Sequence, residues 1–409
     1  DVALADGTIR VGAKKVITPA PRPEPARVVI VGAGAAGVAA AEALRDEGHR
    51  GTITLVSGEP SDPVDRPNLS KDFLAGNAPE EWVYLRTAAA LQDRDITLAG
   101  VHATAIDPDA RLVRLADNRD LPYDALLLAT GAEAIRLPID GALLPHVHVL
   151  RTLTDSRAIV AAATKDAHAV IIGASFIGLE AAASLRARGM AVTVVGPETI
   201  PLARVLGDEV GRFVQGIHES HGVTFQLGRK PTAITAEHVI LDDGSELPAA
   251  LVVIGVGVKP RLELASAAGL AIDKGIVVDA ELRAAPAIWA AGDVARYPWH
   301  GSAVRIEHWQ VAVRHGQTAA RSMLDQPARA DVPFFWTQHH DVTLGYVGHA
   351  ETFAPPVIHG DLAKRDAHVV YCDGKAIKAV VTLGRDKLAL DVEAAMERDD
   401  QAALAKLVD

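Results

Sequence analysis

Two glycine-rich motifs have the residue types and spacing that hold the diphosphate of a dinucleotide. They read GAGAAG at residues 32–37 and GASFIG at residues 173–178, so the second begins 141 positions after the first. Glycine lets the backbone turn tightly and approach a ligand, and the amides that open the following helix attract phosphate oxygens. A chain that holds two dinucleotides is suited to pass electrons between them. We expect ligand contacts from Gly32, Gly34, Ala36 and Gly37 in the first motif and from Gly173, Ser175 and Gly178 in the second.

Each motif is followed by an acidic residue at the distance that ribose binding requires. Glu59 lies 22 residues after Gly37, and Glu198 lies 20 residues after Gly178. In dinucleotide-binding units, a carboxylate about 20 residues past the glycines accepts hydrogen bonds from ribose hydroxyls. One GxGxxG motif is a weak signal, but two motifs with matching acids favour a duplicated dinucleotide-binding unit.

The surrounding sequence predicts the strands and helices that must position these motifs. An apolar run precedes each motif as a buried strand, a helix follows it, and a second strand ends near the acid. Each half then closes with a hairpin and a buried strand that ends in glycine. This alternation predicts an α/β fold. The predicted strands are 28–31, 52–56, 125–129, 169–172, 192–195 and 251–254, and the predicted helices are 38–46 and 178–188.

Composition and charge narrow the class of protein. The chain has 409 residues, 49% of them hydrophobic, which is enough for two or three domains. Its net charge of -11 argues against a nucleic-acid partner, because binding a phosphate backbone needs clustered Lys and Arg. The longest apolar stretch, residues 28–41, is too short to span a membrane, so we expect a cytoplasmic protein. Because the sequence starts at Asp1 rather than Met, we expect that upstream residues have been removed.

The cysteine and histidine content limits redox chemistry and metal binding. Cys372 is the only cysteine, so the chain has neither an internal redox disulfide nor an iron–sulfur centre of its own. Histidines are paired at His218 and His221 and at His339 and His340, but neither pair matches a known ligand spacing. We therefore predict no metal site.

Further signatures resemble one family of flavoproteins. The chain resembles the FAD-dependent NAD(P)H:ferredoxin reductases of the putidaredoxin reductase and dioxygenase ferredoxin reductase type, closest to the Rieske-fused, apoptosis-inducing-factor-like branch. The resemblance implies two Rossmann-like dinucleotide-binding domains of the glutathione-reductase type and a small α+β C-terminal domain. Its signatures cover about residues 26–345 and are DRPNLSK at 65–71, ATG at 129–131, the segment 173–180, GVKP at 257–260, AAGD at 290–293 and EHW at 307–309.

The resemblance also implies roles for individual residues, with FAD on the first unit and NADH on the second. Asp293 would accept a ribityl hydrogen bond at the start of a helix facing the flavin, although a Gly-Asp pair is also an ordinary turn. Lys71, paired with Glu180, would lie beside the reactive flavin nitrogen; the alternative is a plain ion pair between domains. Trp309 would stack on a ring as a third catalytic residue. The other implied cofactor contacts are Arg66, Thr130, Gly131, Arg136, Gly257, Gly292, His308 and Trp336.

The end of the strand before Glu198 favours NADH over NADPH. Many NADH-dependent relatives carry the acid at the strand end. This chain departs from that pattern, because Gly196 is at the strand end and Glu198 follows two positions later. No Arg or Lys lies between Val195 and Ile200 to bind a 2′-phosphate.

The implied function is transfer of hydride from NADH to FAD and then of single electrons to an iron–sulfur protein. The expected partner is a Rieske-type or other [2Fe-2S] ferredoxin, separate or fused. The alternative is an apoptosis-inducing-factor-like switch with low turnover, whose output is an NADH-driven conformational or dimerisation change. Both functions are compatible with a homodimer. Neither function involves nucleic acid or a membrane.

The order of the signatures predicts a discontinuous FAD domain. Asp293 and Trp309 follow the whole second unit, so we expect the NAD domain to be inserted into the FAD domain. Residues 1–25 combine a strand-like segment, beginning with a turn at 6–7, with a Pro-rich linker. We interpret them as the tail of a Rieske domain, with a disordered leader as the alternative. The predicted domains are 26–148 with 260–327 for FAD, 149–259 for NAD, and 328–409 at the C-terminus.

Overall fold

The computed structural model describes residues 2–5, 8–12, 25–328 and 331–409. Near the N-terminus, Val2–Ala5 and Thr8–Val11 pair as an antiparallel hairpin, which includes the strand predicted there. The predicted turn at residues 6–7 and most of the Pro-rich linker lie outside the described residues.

The first sheet presents the first glycine motif at its carboxyl edge. Five of its six strands run parallel and the edge strand Arg283–Ala285 is antiparallel. The strand before the motif is almost wholly buried, as expected for a parallel sheet covered on both faces. The strand order is Arg283–Ala285, Ile288–Ala290, Ala125–Leu128, Arg27–Val31, Thr52–Val56 and Ile96–Ala99.

Two long helices pack closely against each other beside this sheet. Ala35–Asp46 follows the first glycine motif, and Trp309–Met323 comes from the other end of the chain. A Cβ at Gly316 would lie 2.2 Å from the Ala36 carbonyl oxygen, so only glycine permits this approach. The contact holds the first motif against a helix that begins 277 residues after Gly32.

The second sheet has five strands, all parallel, and carries the second glycine motif. Its apolar strands are buried as completely as those of the first sheet. The predicted strands at 169–172, 192–195 and 251–254 are all present, within one residue at each end. The strand order is Val147–Val149, Leu251–Ile254, His168–Ile172, Ala191–Gly196 and Val223–Leu227.

The sheets show how the second unit is inserted into the first. Ile288–Ala290 pairs in parallel with Ala125–Leu128, although the whole second sheet lies between them in sequence. The chain passes between the units along Ala132–Ala134 and Val258–Pro260, which pair antiparallel. Because Val147–Val149 belongs to the second sheet, we propose a domain boundary several residues before 148.

The C-terminal residues form a five-stranded antiparallel sheet with two helices packed on it. A hairpin turns across Asp373 and Gly374, and the two helices are Asp386–Glu397 and Gln401–Val408. This sheet also packs against the second sheet's helices, in a shared apolar core. The strand order is Phe334–His339, Val342–Gly348, Ala376–Leu383, Asp366–Asp373 and Val357–Asp361.

One predicted local element was wrong. Gly292–Val294 is a single turn of 3-10 helix that runs into the strand Ala295–Trp299, so no α-helix begins at Asp293. The next α-helix in the chain begins at Trp309.

The remaining elements include the helices that pack on the second sheet and the short connecting segments. Among the described residues, no helix has the length and apolar composition needed to cross a bilayer. The other strands are Ala103–Asp107, Leu112–Leu115, Asp120–Pro122, Pro231–Ile234, His238–Leu241, Glu246–Pro248, Ile276–Val277 and Ser302–Val304. The other helices are Arg66–Leu69, Asp72–Ala75, Glu80–Trp82, Ala88–Gln92, Leu153–Ala162, Phe176–Ala187, Ala203–Leu206, Asp208–Ser220 and Glu263–Ala267.

Candidate active site

A cavity of about 600 Å³ lies where the first sheet, the second glycine unit and the C-terminal sheet meet. The first motif contributes Gly32 and Gly34 to its wall, and the helix after the second motif contributes Phe176 and Ile177. Residues from both dinucleotide-binding units therefore face one space. That arrangement suits two ligands that exchange electrons.

The first motif has the geometry of a diphosphate cradle. Gly32 has a φ of +113°, and a Cβ there would lie 2.1 Å from the Ala129 carbonyl oxygen. A Cβ at Gly37 would lie 1.9 Å from the Gly32 carbonyl oxygen, so this glycine closes the turn against its helix. At Gly34 no atom lies within 4 Å of the Cβ position, and this residue faces the cavity. The motif thus leaves open the one side on which a phosphate would approach the helix amides.

The second motif repeats this geometry. Gly173 has a φ of +119°, and a Cβ there would lie 2.4 Å from the Gly255 carbonyl oxygen. A Cβ at Gly178 would lie 2.0 Å from the Gly173 carbonyl oxygen, as for the first motif. Ser175 occupies the position of Gly34 as the residue before the helix. We propose that these residues hold the second dinucleotide at the carboxyl edge of the second sheet.

Glu198 and Gly257 lie outside the wall of the first cavity, on the side of the second unit. Glu198 is exposed two residues after the strand Ala191–Gly196, and its backbone carbonyl accepts a hydrogen bond from the Gly228 amide at 2.9 Å. Gly257 has a φ of +110° and follows the strand Leu251–Ile254. Both positions fit a ligand at the carboxyl edge of the second sheet, as the sequence predicts.

Two arginine–carboxylate pairs line the first cavity. Arg66 pairs with Glu59, the predicted ribose acid, and its Nη1 donates to the Arg151 carbonyl oxygen at 2.7 Å. Arg151 Nη2 lies 2.7 Å from Asp293 Oδ2, and Arg151 Nε donates to the Ala132 carbonyl oxygen at 3.1 Å. The pairs orient both carboxylates at the cavity wall while keeping positive charge nearby for a diphosphate.

Lys71 and Glu180 form an ion pair at the inner wall of the cavity. Lys71 Nζ lies 2.9 Å from Glu180 Oε2, and only 13% and 6% of the two side chains are exposed. The same carboxylate accepts hydrogen bonds from Ser70 Oγ at 2.7 Å and from Thr337 Oγ1 at 2.8 Å. Three donors hold Glu180, which lies on the helix after the second motif, and its position fixes that of the Lys71 ammonium.

Aromatic side chains from two distant segments form another part of the wall. The rings of Trp309 and Trp336 are 6.3 Å apart, edge to face, and the His308 ring lies 4.3 Å from that of Phe335. Burial lowers the pKa of His308 to about 3, so its ring is neutral at pH 7. A flat heteroaromatic ligand has stacking surfaces here.

The observed residues fit FAD. His308 Nδ1 and Trp309 Nε1 are buried, line the cavity, and have no hydrogen-bond partner among the described residues. A polar ring system satisfies such atoms, and the open side of Gly34 matches its diphosphate. FAD would then be held by the first motif, Glu59, Arg66, Asp293 and the aromatic wall.

The cavity brings together most of the predicted cofactor residues of the first unit. Gly32, Gly34, Ala36, Glu59, Arg66, Lys71, Thr130, Gly131, Glu180, Gly292, Asp293, His308, Trp309 and Trp336 all line it. Gly37 lies behind the wall, where it shapes the turn. Arg136 is exposed and is not among the lining residues, so the structure does not bring it to the first cavity.

Sequence reasoning missed Arg151, Ser70 and Thr337 as site residues. Arg151 carries a detectable signal, because it follows the strand Val147–Val149 at the carboxyl edge of a parallel sheet, where ligands bind. Ser70 lies inside the quoted motif at 65–71, and Thr337 follows Trp336. Their hydrogen bonds to Glu180 come from long-range packing, for which the sequence holds no local signal.

Comparisons with known proteins agree with this geometry. Residues 334–409 match the family described as Reductase C-terminal. The chain is 39% identical over 372 residues to the anthranilate 1,2-dioxygenase system ferredoxin–NAD(+) reductase component of Burkholderia cepacia, covering 88% of this chain and 91% of that protein. It is 37% identical over 375 residues to putidaredoxin reductase of Pseudomonas putida, covering 88% of each.

Among solved structures, the fold is similar to the reductase in the covalent putidaredoxin reductase–putidaredoxin complex. The TM-score is 0.90 at 34% identity, with 95% of this chain and 96% of that chain covered. The placement in the apoptosis-inducing-factor-like branch stays a prediction. Residues 26–316 match the family described as Pyridine nucleotide-disulphide oxidoreductase, and the chain belongs to that family.

Proposed function

We propose that this chain is an FAD-dependent NADH:ferredoxin oxidoreductase. The observation that carries the proposal is the single cavity lined by residues from both glycine-motif units, with the ion pair of Lys71 and Glu180 in its wall. The names of the relatives described above support it, because both proteins are reductases and one reduces a dioxygenase ferredoxin. The alternative of a low-turnover switch gains no support from these relatives.

The residues of the chain position the reactants and control charge. FAD, when bound, accepts two electrons as hydride and releases them singly, which a nicotinamide does not do. The second motif and Glu198 hold NADH so that its ring enters the shared cavity. Lys71 supplies a fixed positive charge where negative charge accumulates, and Glu180, Ser70 and Thr337 keep that ammonium in place. The aromatic wall excludes water from the rings.

The partner that this proposal implies is a [2Fe-2S] ferredoxin. Cys372 is the only cysteine in the chain, so the one-electron centre must come from another protein or domain. We propose a Rieske-type ferredoxin as the more specific partner. A panel of a Rieske-type ferredoxin, a ferredoxin with a four-cysteine [2Fe-2S] cluster and a rubredoxin tests this choice through their relative kcat/KM values.

The function is tested by anaerobic spectroscopy of the purified chain with FAD. One equivalent of NADH should bleach the flavin absorbance, and adding oxidised ferredoxin should restore it while two ferredoxins are reduced. The same titration with NADPH should bleach the flavin more slowly. A chain that does not retain FAD, or that is bleached by NADH but leaves every ferredoxin oxidised, contradicts the proposal.

A further inference from the structure

The strand end before Glu198 has no cation of its own in sequence, but the fold brings one to it from the neighbouring strand. The strands Ala191–Gly196 and Val223–Leu227 pair in parallel, and their last residues lie opposite each other. The chain then crosses the strand end, where the Arg229 amide donates to the Gly196 carbonyl oxygen at 3.1 Å. Because ligands bind at the carboxyl ends of parallel strands, Arg229 lies beside the ribose end of the second dinucleotide site.

The Glu198 carboxylate lies at the same strand end, although Glu198 is two positions beyond it. Glu198 Oε2 is 2.5 Å from the point that a Cβ at Gly196 would occupy, and the Ala174 Cβ of the second motif is 3.1 Å from that point. Glycine at position 196 therefore leaves room for the carboxylate to fold back beside the motif. The site fits a ribose with free hydroxyls, because the carboxylate is an acceptor where the ribose diol needs one.

The Arg229 side chain is bound by two acidic residues, which we call the acidic turn. Arg229 Nη2 lies 3.0 Å from Asp243 Oδ2, and Nη1 lies 3.9 Å from Asp242 Oδ1. Both acids follow the strand His238–Leu241, and the Asp242 amide donates to the Lys230 carbonyl oxygen at 2.9 Å. The acidic turn is thus fixed to the segment that carries Arg229, and it neutralises the one guanidinium bonded to this strand end through its own backbone.

This ion pair is open enough to exchange partners. The side chains of Arg229, Asp242 and Asp243 are 42%, 39% and 33% exposed, and ion pairs with this much water contact are weak. A phosphate carries more charge than one carboxylate and can accept two parallel hydrogen bonds from a guanidinium. The two acids therefore compete with a phosphate for Arg229 and also repel it.

We propose that Arg229 is a latent contact for the 2′-phosphate of NADPH, and that the acidic turn holds it back and so sets the preference for NADH. The proposal rests on the proposed function for the identity of the nucleotide. The 2′-hydroxyl of NADH needs only the acceptor at Glu198. The 2′-phosphate of NADPH meets three carboxylates and a cation that two of them already neutralise. Preference for the coenzyme is thus set by a turn far along the chain from the strand end.

Binding of nucleotide fragments tests the proposal without electron transfer. Calorimetry on the FAD-loaded protein, whose first site is filled, compares adenosine 2′,5′-bisphosphate with 5′-AMP. The wild type should bind 5′-AMP more tightly. In the double variant Asp242→Asn/Asp243→Asn, affinity for the bisphosphate should rise by about tenfold, while that for 5′-AMP should change by no more than about twofold. Asparagine keeps the oxygen that accepts from the Ser245 amide and hydroxyl, so the turn should persist.

Two further substitutions in the double variant identify the cation. Adding Arg229→Ala should remove the gain in bisphosphate affinity, whereas adding Lys230→Ala should leave it unchanged. The charge-matched control is Asp117→Asn/Asp208→Asn, which also removes two negative charges from exposed ion pairs with arginine. It should show no gain. Single-turnover flavin reduction should follow the same pattern, with faster reduction by NADPH in the double variant and an unchanged rate with NADH.

Three results would overturn the proposal. The first is no gain in bisphosphate affinity in the double variant, and the second is a gain that survives Arg229→Ala, which indicates a general charge effect. The third is a gain that Lys230→Ala removes, which assigns the phosphate contact to lysine. Failure of the proposed function registers separately, as absent flavin bleaching by NADH, because the fragment titrations need no hydride transfer.

Discussion

The Nζ atom of Lys71 lies 2.9 Å from the Oε2 atom of Glu180, although 109 residues separate them in the sequence. Lys71 precedes the short helix Asp72–Ala75, and Glu180 lies on the helix Phe176–Ala187 of the second dinucleotide-binding unit. The pair therefore joins the two units at the wall of the shared cavity. The position of the Lys71 charge in the cavity wall therefore depends on how the two units pack together.

Replacing Lys71 by alanine should slow hydride transfer from NADH by about 10- to 100-fold, because the fixed charge near the reacting ring is lost. FAD content should change little, since Gly32, Gly34 and the arginine pairs remain. Stopped-flow absorbance of flavin reduction in a single turnover measures this. Lys387→Ala is the control, because Lys387 forms an exposed pair with Asp391. An unchanged reduction rate in Lys71→Ala would leave the pair a purely structural role.

Alanine at two glycines of the first motif should separate FAD binding from stability. Gly34→Ala should fold with unchanged stability, because no atom lies within 4 Å of the Cβ position, yet bind FAD about tenfold or more weakly. Gly32→Ala should unfold more easily by about 3 kcal/mol or more, from its positive φ and the contact with Ala129. Urea unfolding and FAD titration separate the two. Gly216→Ala, a helical position with open space, should not lower FAD affinity.

Arg151→Ala should weaken FAD binding by about tenfold or more, because Asp293 loses its charged partner at the cavity wall. Arg151→Lys should recover only part of the affinity, since lysine cannot also reach the Ala132 carbonyl with a second fixed N–H. Flavin fluorescence titration measures the dissociation constants. Arg136→Ala should bind FAD as the wild type does, and weaker binding in that variant would restore Arg136 to the cofactor site.

Glu198→Ala should raise the NADH concentration needed for half-maximal flavin reduction by about tenfold and reduce the preference for NADH over NADPH. The expected cause is loss of the acceptor for the ribose hydroxyls at the end of the strand Ala191–Gly196. Flavin reduction rates over a series of NADH and NADPH concentrations provide the measurement. Glu246→Ala, an exposed acid on another strand of the same unit, should change neither value. Equal effects of both substitutions would point to a general charge effect.

Stability should fall as the pH drops below about 6.5. Burial lowers the pKa of His315 to about 4, of His308 and His339 to about 3, and of His218 to about 2. A depressed folded-state pKa means that these groups contribute stability above the unfolded value and lose it as the pH falls toward the folded values. Unfolding near pH 5 should therefore take up about three to four protons at these sites.

Urea unfolding at a series of pH values measures that proton uptake. His315→Gln should reduce it by about one proton, because the folded protein then buries one neutral imidazole fewer. His238→Gln, at a partly exposed position in a hairpin, is the matched substitution outside the buried set. A pH dependence that is unchanged by His315→Gln would contradict the assignment.

The sequence alone determined the parts of this protein that local patterns encode. Continuous apolar runs and turn glycines predicted three strands of each sheet, because a strand buried on both faces needs a continuous apolar run. The spacing from Gly37 to Glu59 predicted a ribose acid, and the order of Asp293 and Trp309 predicted an inserted domain. These features depend on contacts within a few residues or on a repeated unit, so they can be recognised in a linear string.

Only the tertiary structure decided which distant side chains share one space. Arg151 reaches Asp293 across 142 positions, and Thr337 reaches Glu180 across 157. The sequence also predicted an α-helix at Asp293, where the structure has a single 3-10 turn followed directly by the strand Ala295–Trp299. The histidines dismissed as metal ligands came together because a helix and a strand from different units pack face to face. Such contacts arise from burial of apolar surface over the whole chain, and no local spacing encodes them.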